Sequence, residues 1–391
     1  MTKNFEQYVL PTYGRQNVSF VSGKNAILID SEGKEYIDFA AGIAVCSVGH
    51  SNDRLTKAIC DQVSKVIHVS NLYYIAPQAE CARRIVELSG YDMKCFFGNS
   101  GAEANEGAIK IARKYGEVEG QPKRYKIITL DHSFHGRTIT ALKATGQESM
   151  HNYFGPFPDG FVYAKNIDEI ESLIDDHTVA VMIELVQGEG GVQPQDRAKV
   201  QALSAMLKSR DILLMVDEVQ TGIYRTGEFL ASNLYGIEPD VITLAKGLGG
   251  GVPIGVVMTS KKDIFAPGDH GSTFGGNYLS TAAANEVLDI LEEIKESGEL
   301  DEHLIYFETS LATFAKGHPA IFLEHVGLGM MRGLRVCDAD TLGKIINAAR
   351  DAGVIVLKAG RNTLRFLPPL TITKADIDEG FARLEKAVAT L

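Results

Sequence analysis

Residues 19–39, SFVSGKNAILIDSEGKEYIDF, carry short apolar stretches broken at Gly23-Lys24-Asn25 and at Ser31-Glu32-Gly33, the pattern of a β-meander. From about residue 53 the period changes. Leu55, Ile59, Val63 and Val66 recur at helical spacing, and a second helical stretch covers 78–89. The middle of the chain then alternates the two kinds of element. Apolar runs at 94–97, 125–130, 179–185, 212–219, 240–245 and 253–259 predict strands, with helical patterns over 102–116 and 198–210 between some of them. Strands apolar on both faces and separated by helices predict an α/β fold with a large, mostly parallel sheet covered on both sides. Beyond residue 280 the pattern is helical to about 316, then short strands, then an amphipathic helix from about 374. The expected division is an N-terminal segment over 1–60 that packs with a smaller α+β domain over 276–391, and a large α/β domain over 61–275.

Composition removes several function classes. Lys plus Arg number 39 and Asp plus Glu 50, a net charge of −11, which argues against nucleic acid or an anionic membrane as the partner. No apolar run approaches the ~20 residues of a membrane helix, and MTKNFEQYVLPTYG has no apolar signal core. The 5 cysteines are odd in number, widely spaced and without a CxxC pair, so a reducing, cytoplasmic setting is expected rather than a disulfide framework or zinc ribbon. Glycine is in excess, 39 residues of 391, and its clusters lie beside the apolar strands, where tight loops around a ligand need it.

In open α/β sheets ligands bind beyond the carboxyl ends of the strands, so the residues just after each strand carry the chemistry. After KCFF comes GNSGAEANEG, where Gly98, Ser100 and Gly101 open a helix and turn free amides and a hydroxyl toward the site, a candidate phosphate cradle. It is neither GxGxxG nor GxxxxGK[ST], so the dinucleotide and P-loop fingerprints are missing. After YKIITL comes DHSFHGRT. His132 and His135 stand three apart without a third ligand and read as loop histidines rather than a metal pair, and no metal is expected. Phe134 is either ordinary packing or a face for a planar ligand, and Arg137 either a carboxylate fork or a surface ion pair. Glu184 lies late in an apolar strand and needs a partner; Glu189 sits in the glycine-rich VQGEGG. Asp217 ends one apolar strand, followed by Glu218 and Gln220, and Lys246 ends the next, ahead of GLGGG. A buried lysine loses proton affinity and becomes nucleophilic. Asp217 and Lys246 are 29 residues apart, one strand–helix–strand unit, so both point into one crevice. A phosphate site, an aspartate, an aromatic face and an unpaired lysine together suit pyridoxal 5'-phosphate (PLP). No GxSxG or HExxH supports a hydrolase.

FGNSGAEANEGAIKIAR, HSFHGRT, VQGEGG, VDEVQTG, LAKGLGGGVPIG, GSTFGGN and LRFLPPL occur in this order along nearly the whole chain. Together they resemble the class III, fold-type I PLP-dependent aminotransferases, most of all the members that act on N-acetylornithine. The resemblance implies that Lys246 and Asp217 are catalytic, Lys246 forming the Schiff base and carrying the proton while Asp217 pairs with the ring nitrogen. It implies a cofactor site in which Ser100, Gly101 and Ala102 hold the phosphate, Phe134 stacks on the ring and Gln220 meets its hydroxyl, with Glu218 and Val219 in the same stretch. Thr273 is similar to a threonine that reaches the phosphate from the partner subunit, with Ser272 beside the substrate, which implies a homodimer with shared active sites. Arg137 resembles a substrate-carboxylate arginine, Arg365 the one that grips the α-carboxylate of glutamate or 2-oxoglutarate, Glu189 the residue that pairs with Arg365 when the terminal amine reacts, and Tyr13 a residue at the entrance. The implied reaction moves the terminal amine of N-acetylornithine to 2-oxoglutarate. Its rivals are transaminases of ornithine, succinylornithine, succinyldiaminopimelate or 4-aminobutyrate, an aminomutase of the glutamate-semialdehyde type, and a non-catalytic binding protein. Leu185, Ala102 and Tyr278 depart from the common pattern, and Ala102 offers the phosphate only its backbone amide.

Overall fold

The computed structural model describes residues 2–389. Its centre is a seven-stranded sheet: β1 (Lys94–Gly98), β2 (Lys126–Leu130), β3 (Phe161–Ala164), β4 (Thr178–Ile183), β5 (Leu213–Asp217), β6 (Val241–Leu244) and β7 (Gly255–Thr259), in the order β1-β7-β6-β5-β4-β2-β3. β3 to β6 and β2 pair in parallel, while β7 runs antiparallel to both β6 and β1. The reversal has a simple cause. Residues 245–254 are too few for a helical crossover, so the chain turns back on itself. The sheet is therefore mostly parallel, as its apolar runs predict. β3, a short edge strand, is the one strand of this sheet that the hydrophobic pattern did not single out.

Alternation along the strands sorts the core into two faces. Ile127, Met182, Met215 and Val257 pack with Ile109, Ile111 and Ala112 of helix Gly101–Tyr115. Ile128, Val181, Leu214 and Val216 pack on the other side with Val200, Leu203 and Leu207 of helix Arg197–Ser209. Both helices begin where a side chain caps them: Ser100 Oγ accepts from Glu103 N, and Asp196 accepts from Lys199 N.

The N-terminal strands Phe20–Lys24, Ile27–Asp30 and Glu35–Asp38 form the expected meander, and a short strand, Val354–Ile355, pairs in parallel with the last of them. A second antiparallel sheet in the C-terminal part holds Phe322–Leu328, Met331–Val336, Thr363–Phe366 and Leu357–Ala359. Between its strands lies helix Ala339–Asp351, unanticipated although its signals are ordinary: Asp338 caps Thr341 N at 2.8 Å, and Leu342, Ile345 and Ala349 are buried at helical spacing. Helices Tyr278–Glu296, Glu299–Gly317 and Lys374–Val388 complete this part. No helix among the described residues is long and apolar enough to cross a membrane.

Phe39, just after the meander, ties the two ends of the chain together. It is fully buried, with Phe307 edge-on at 5.4 Å, Phe381 at 5.4 Å and Phe366 at 6.1 Å. Replacing Phe39 by Ala should cost about 3–5 kcal/mol, a cavity in a site braced on three sides. A denaturant midpoint within ~0.5 kcal/mol of the parent would show that this cluster does not hold the ends together.

Candidate active site

The carboxyl ends of β1, β2, β4, β5 and β6 open on a cavity of ≈ 400 Å³. Helix Gly101–Tyr115 points its N-terminus into it. Of the amides at the helix start, which lack intrahelical acceptors, Glu103 N finds Ser100 Oγ, and the i→i−4 ladder begins with Ala104 N to Ser100 O, which leaves Gly101 and Ala102. The reversed strand passes directly beneath this turn. A Cβ on Gly255 would lie 2.1 Å from the Ser100 carbonyl oxygen, so only glycine lets β7 approach here.

Asp217 ends β5 buried in the cavity wall, with each oxygen engaged. Oδ2 accepts from Asn105 Nδ2 at 2.8 Å and meets His135 Nδ1 at 2.8 Å, and Oδ1 accepts from Val219 N at 3.0 Å. Asn105 is itself locked, donating to His135 O at 2.6 Å and accepting from Thr243 Oγ1 at 2.7 Å. The pair His132 and His135 therefore separates, His132 exposed and His135 buried against Asp217.

Lys246 follows β6 with φ +44°, a left-handed conformation that a side-chain-bearing residue rarely adopts and that marks functional loops. Its Nζ has no hydrogen bond or ion pair to any described residue. Burial, and secondarily the Arg365 guanidinium, bring the amine down to about 8, against partial compensation from Glu189, Asp217 and Glu184. The loop behind it is braced by Ser47 Oγ, which donates to Gly247 O at 2.6 Å. Ser47 and the cavity-lining Val45 follow four consecutive residues, 41–44, with φ between +46° and +68°. Glu184 also lines the cavity. Its carboxyl stands well above the usual carboxylate range because of burial and then the neighbouring Asp217, and Oε2 accepts from Phe134 N at 3.1 Å.

Ten of the residues given a site role by the family resemblance line this one cavity: Lys246, Asp217, Ser100, Gly101, Ala102, Phe134, Val219, Gln220, Arg137 and Glu189. Arg137 lies over the Phe134 ring at 5.5 Å. Arg365 is buried just behind the wall, its Nη1 donating to Glu189 Oε1 at 2.6 Å. The Glu218 side chain turns away from the cavity. Its oxygens accept from Thr221 Oγ1, Ala231 N, Ser232 N and Ser232 Oγ, capping helix Ala231–Tyr235. Ser272 Oγ meets the cavity through Asn99 Nδ2 at 3.1 Å, whereas Thr273 and Tyr13 are exposed and lie outside it. Asn105 and His135 enter the site only through the structure. Their signal is faint, an asparagine on the buried face of a helix and a histidine in a loop.

A family model described as aminotransferase class III matches residues 11–388. The chain belongs to the class III aminotransferases. Acetylornithine aminotransferase from Wolinella succinogenes is 64% identical over 384 residues, 98% of each chain. The same enzyme from Caldanaerobacter subterraneus is 44% identical over 393 residues, 99% of this chain and 98% of that one. Among solved structures, ornithine aminotransferase from Toxoplasma gondii superposes with a TM-score of 0.93 at 33% identity, covering 100% of this chain and 94% of that one. N-acetylornithine aminotransferase from Stenotrophomonas maltophilia superposes with a TM-score of 0.84 at 34% identity, covering 100% and 99%.

Class III aminotransferases use PLP, and a Toxoplasma gondii ornithine aminotransferase structure is described with PLP at its active site. The cavity of this aminotransferase fits the group. The free amides of Gly101 and Ala102 above the Gly255 gap could hold a phosphate, and Gln220 Oε1 is buried with no partner in the protein, ready for a ring hydroxyl. Asp217 could face a ring nitrogen, and Lys246 Nζ is unengaged within the same space.

The depressed Lys246 amine makes a stability prediction for the cofactor-free protein. Folded Lys246 releases its proton near 8 and unfolded lysine near 10.5, so between these values the unfolded chain binds more protons and stability rises with pH. Lys246→Met should therefore be more stable than the parent at pH 7, with the gap narrowing between about pH 8 and 10.5 in chemical denaturation. A gap independent of pH would contradict the assigned desolvation.

Proposed function

We propose that this aminotransferase moves the terminal amino group of N-acetylornithine onto 2-oxoglutarate, giving N-acetylglutamate 5-semialdehyde and glutamate in arginine biosynthesis. The observation that carries the substrate is the 64% identity, over 98% of both chains, to an acetylornithine aminotransferase.

When bound, PLP supplies an aldehyde carbon that captures amines and a ring that takes up the electron pair of a breaking C–H bond. The chain's residues do the rest. Lys246 Nζ holds the cofactor at rest, then takes the proton from the carbon bearing the reacting amine and later returns it, a task suited to an amine brought down to about 8. Asp217, immobilised by Asn105 and His135, would keep a proton on the ring nitrogen. Phe134, its backbone held by Glu184, would pack against the ring. Ser100, Gly101 and Ala102 would hold the phosphate. Arg137 grips a substrate carboxylate. Arg365 grips the α-carboxylate of glutamate or 2-oxoglutarate, and Glu189, 2.6 Å from it, covers that charge while the terminal amine reacts.

We further infer a cytoplasmic homodimer with shared sites. Thr273 and Tyr13 are exposed outside their own cavity, and Tyr8, Leu10, Tyr13, Leu72, Tyr73, Tyr74 and Phe274 are large apolar side chains left exposed on the single chain. The overlay with ornithine aminotransferase favours ornithine as the second reading.

The test is the rate with N-acetylornithine, ornithine and N-succinyl-diaminopimelate, each with and without 2-oxoglutarate. N-acetylornithine should be preferred, with turnover requiring 2-oxoglutarate. Preference for ornithine would move the pathway, and repeated turnover without 2-oxoglutarate would make the enzyme a mutase. Lys246→Ala should lose the cofactor–lysine absorbance and lower turnover by more than about 10²-fold; normal turnover in that variant would remove Lys246 from its role.

A further inference from the structure

Glu189 sits on a tight turn between the two short paired strands Val186–Gln187 and Gln193–Pro194. What holds this turn comes largely from the C-terminal sheet. Arg335 and Arg365 belong to adjacent antiparallel strands, with Gly333 opposite Arg365 and Arg335 opposite Thr363, so both arginines project from one face of the sheet. A Cβ on Gly333 would come within 3.3 Å of Val192 Cβ, which shows how closely the turn is pressed against that face.

The Arg335 guanidinium is buried, and most of its donors are committed here. Nη1 donates to Gly191 O and Thr363 Oγ1, and Nη2 donates to Gln193 Oε1 at 2.8 Å. Its ionic contact is loose, Nε lying 3.6 Å from an exposed Glu324 carboxylate. Gly360 N adds a further tether, donating to Glu189 O at 2.8 Å, and Arg361 Nη1 reaches Gln193 Oε1 at 3.2 Å. The backbone around Glu189 is thus pinned while its carboxylate rests on Arg365 at 2.6 Å.

We propose that Arg335 is a positioning residue for substrate selection: by pinning the Gly188–Val192 turn it keeps Glu189 over Arg365 and so sets how readily a dicarboxylate displaces that carboxylate. The inference rests on the reading of Arg365 and Glu189 given above. A pinned backbone lets Glu189 leave Arg365 only by rotating its side chain, which returns as soon as the dicarboxylate departs. Without Arg335 the Gly191 carbonyl loses its charged donor and Gln193 Oε1 keeps only the longer contact to Arg361, so the turn loosens and Arg365 stands uncovered for a larger share of the time. A ligand that needs uncovered Arg365 then binds more tightly, because less of its affinity is lost to the closed population. The amine donor, which uses the covered state, loses efficiency.

The probe is glutarate, an unreactive five-carbon dicarboxylate, titrated calorimetrically into the PLP-loaded enzyme. Alongside it, single-turnover rates are measured separately with glutamate and with N-acetylornithine. In Arg335→Met, glutarate should bind several-fold to ~10-fold more tightly, and the ratio of glutamate to N-acetylornithine kcat/KM should rise by a similar factor. Gln193→Ala, which removes one acceptor without opening the core, should shift both quantities in the same direction by less and keeps the test available if Arg335→Met folds poorly. Unchanged glutarate affinity and ratio, or an equal fall in both half-reactions, would reduce Arg335 to a structural role. Arg365→Met separates the premises. Undiminished glutarate binding there would overturn the Arg365 reading itself, whereas its loss combined with a silent Arg335→Met would overturn only the proposal about Arg335.

Discussion

A carboxyl group buried at the end of a central strand is stable only if donors converge on it, and in this protein that requirement reaches in three directions from Asp217. Val219 N supplies one donor from the same loop, His135 another from the loop after β2, and Asn105 a third from helix Gly101–Tyr115. Asn105 also binds Thr243 on β6, the strand that leads into Lys246. One hydrogen-bonded knot therefore fixes the relative positions of the helix whose N-terminus offers free amides, the loop carrying Phe134, and the strand delivering the lysine. Loosening the knot would move the free amides, the Phe134 loop and the lysine together.

The reversed strand serves the same arrangement. A seventh parallel strand would have needed a crossover and would have sent its own carboxyl-end loop into the cavity. Running antiparallel, β7 instead begins at this edge with Gly255 and packs flat beneath the helix turn, so that residues 251–254 close the cavity wall. Lys246 lies at the start of that short return, in a left-handed conformation the turn imposes, away from bulk solvent and beside Arg365. Burial and the guanidinium favour the neutral form of the amine and outweigh the carboxylates of Glu189, Asp217 and Glu184.

How much of this the chain announces depends on the kind of constraint. Asp217 and Lys246 were legible because a charged residue ending a run of apolar ones has few structural excuses, and topology brings strand ends together. Six of the seven strands of the large sheet were legible for a related reason, burial on both faces, whereas the short edge strand β3 was not. Asn105 was not, because an asparagine inside a helical pattern looks like any polar position until the neighbouring strands are in place. Helix Ala339–Asp351 was hidden among short strands although Asp338, Leu342 and Ile345 carry its cap and period. Glu218 shows the converse. Adjacent to Asp217 in sequence, it points to the opposite side because successive residues at a strand end alternate, and it spends its charge capping a helix.

Arg365 and Glu189 add a constraint that no single segment contains. The arginine belongs to the C-terminal sheet, while the glutamate belongs to a turn that leaves the large sheet after β4, so their ion pair spans the junction between the two parts of the molecule. Gln187 ties the turn back to the large sheet by donating to Asp131 O at 2.9 Å, and Arg335 and Gly360 tie it to the small one. Any change in how the two parts meet is thereby felt at the Glu189 carboxylate. On the proposed reading of Arg365, a substrate whose charge displaced that carboxylate would work against the same contacts, so the choice of carboxylate at Arg365 and the packing of the C-terminal sheet on the large one would be coupled through this turn.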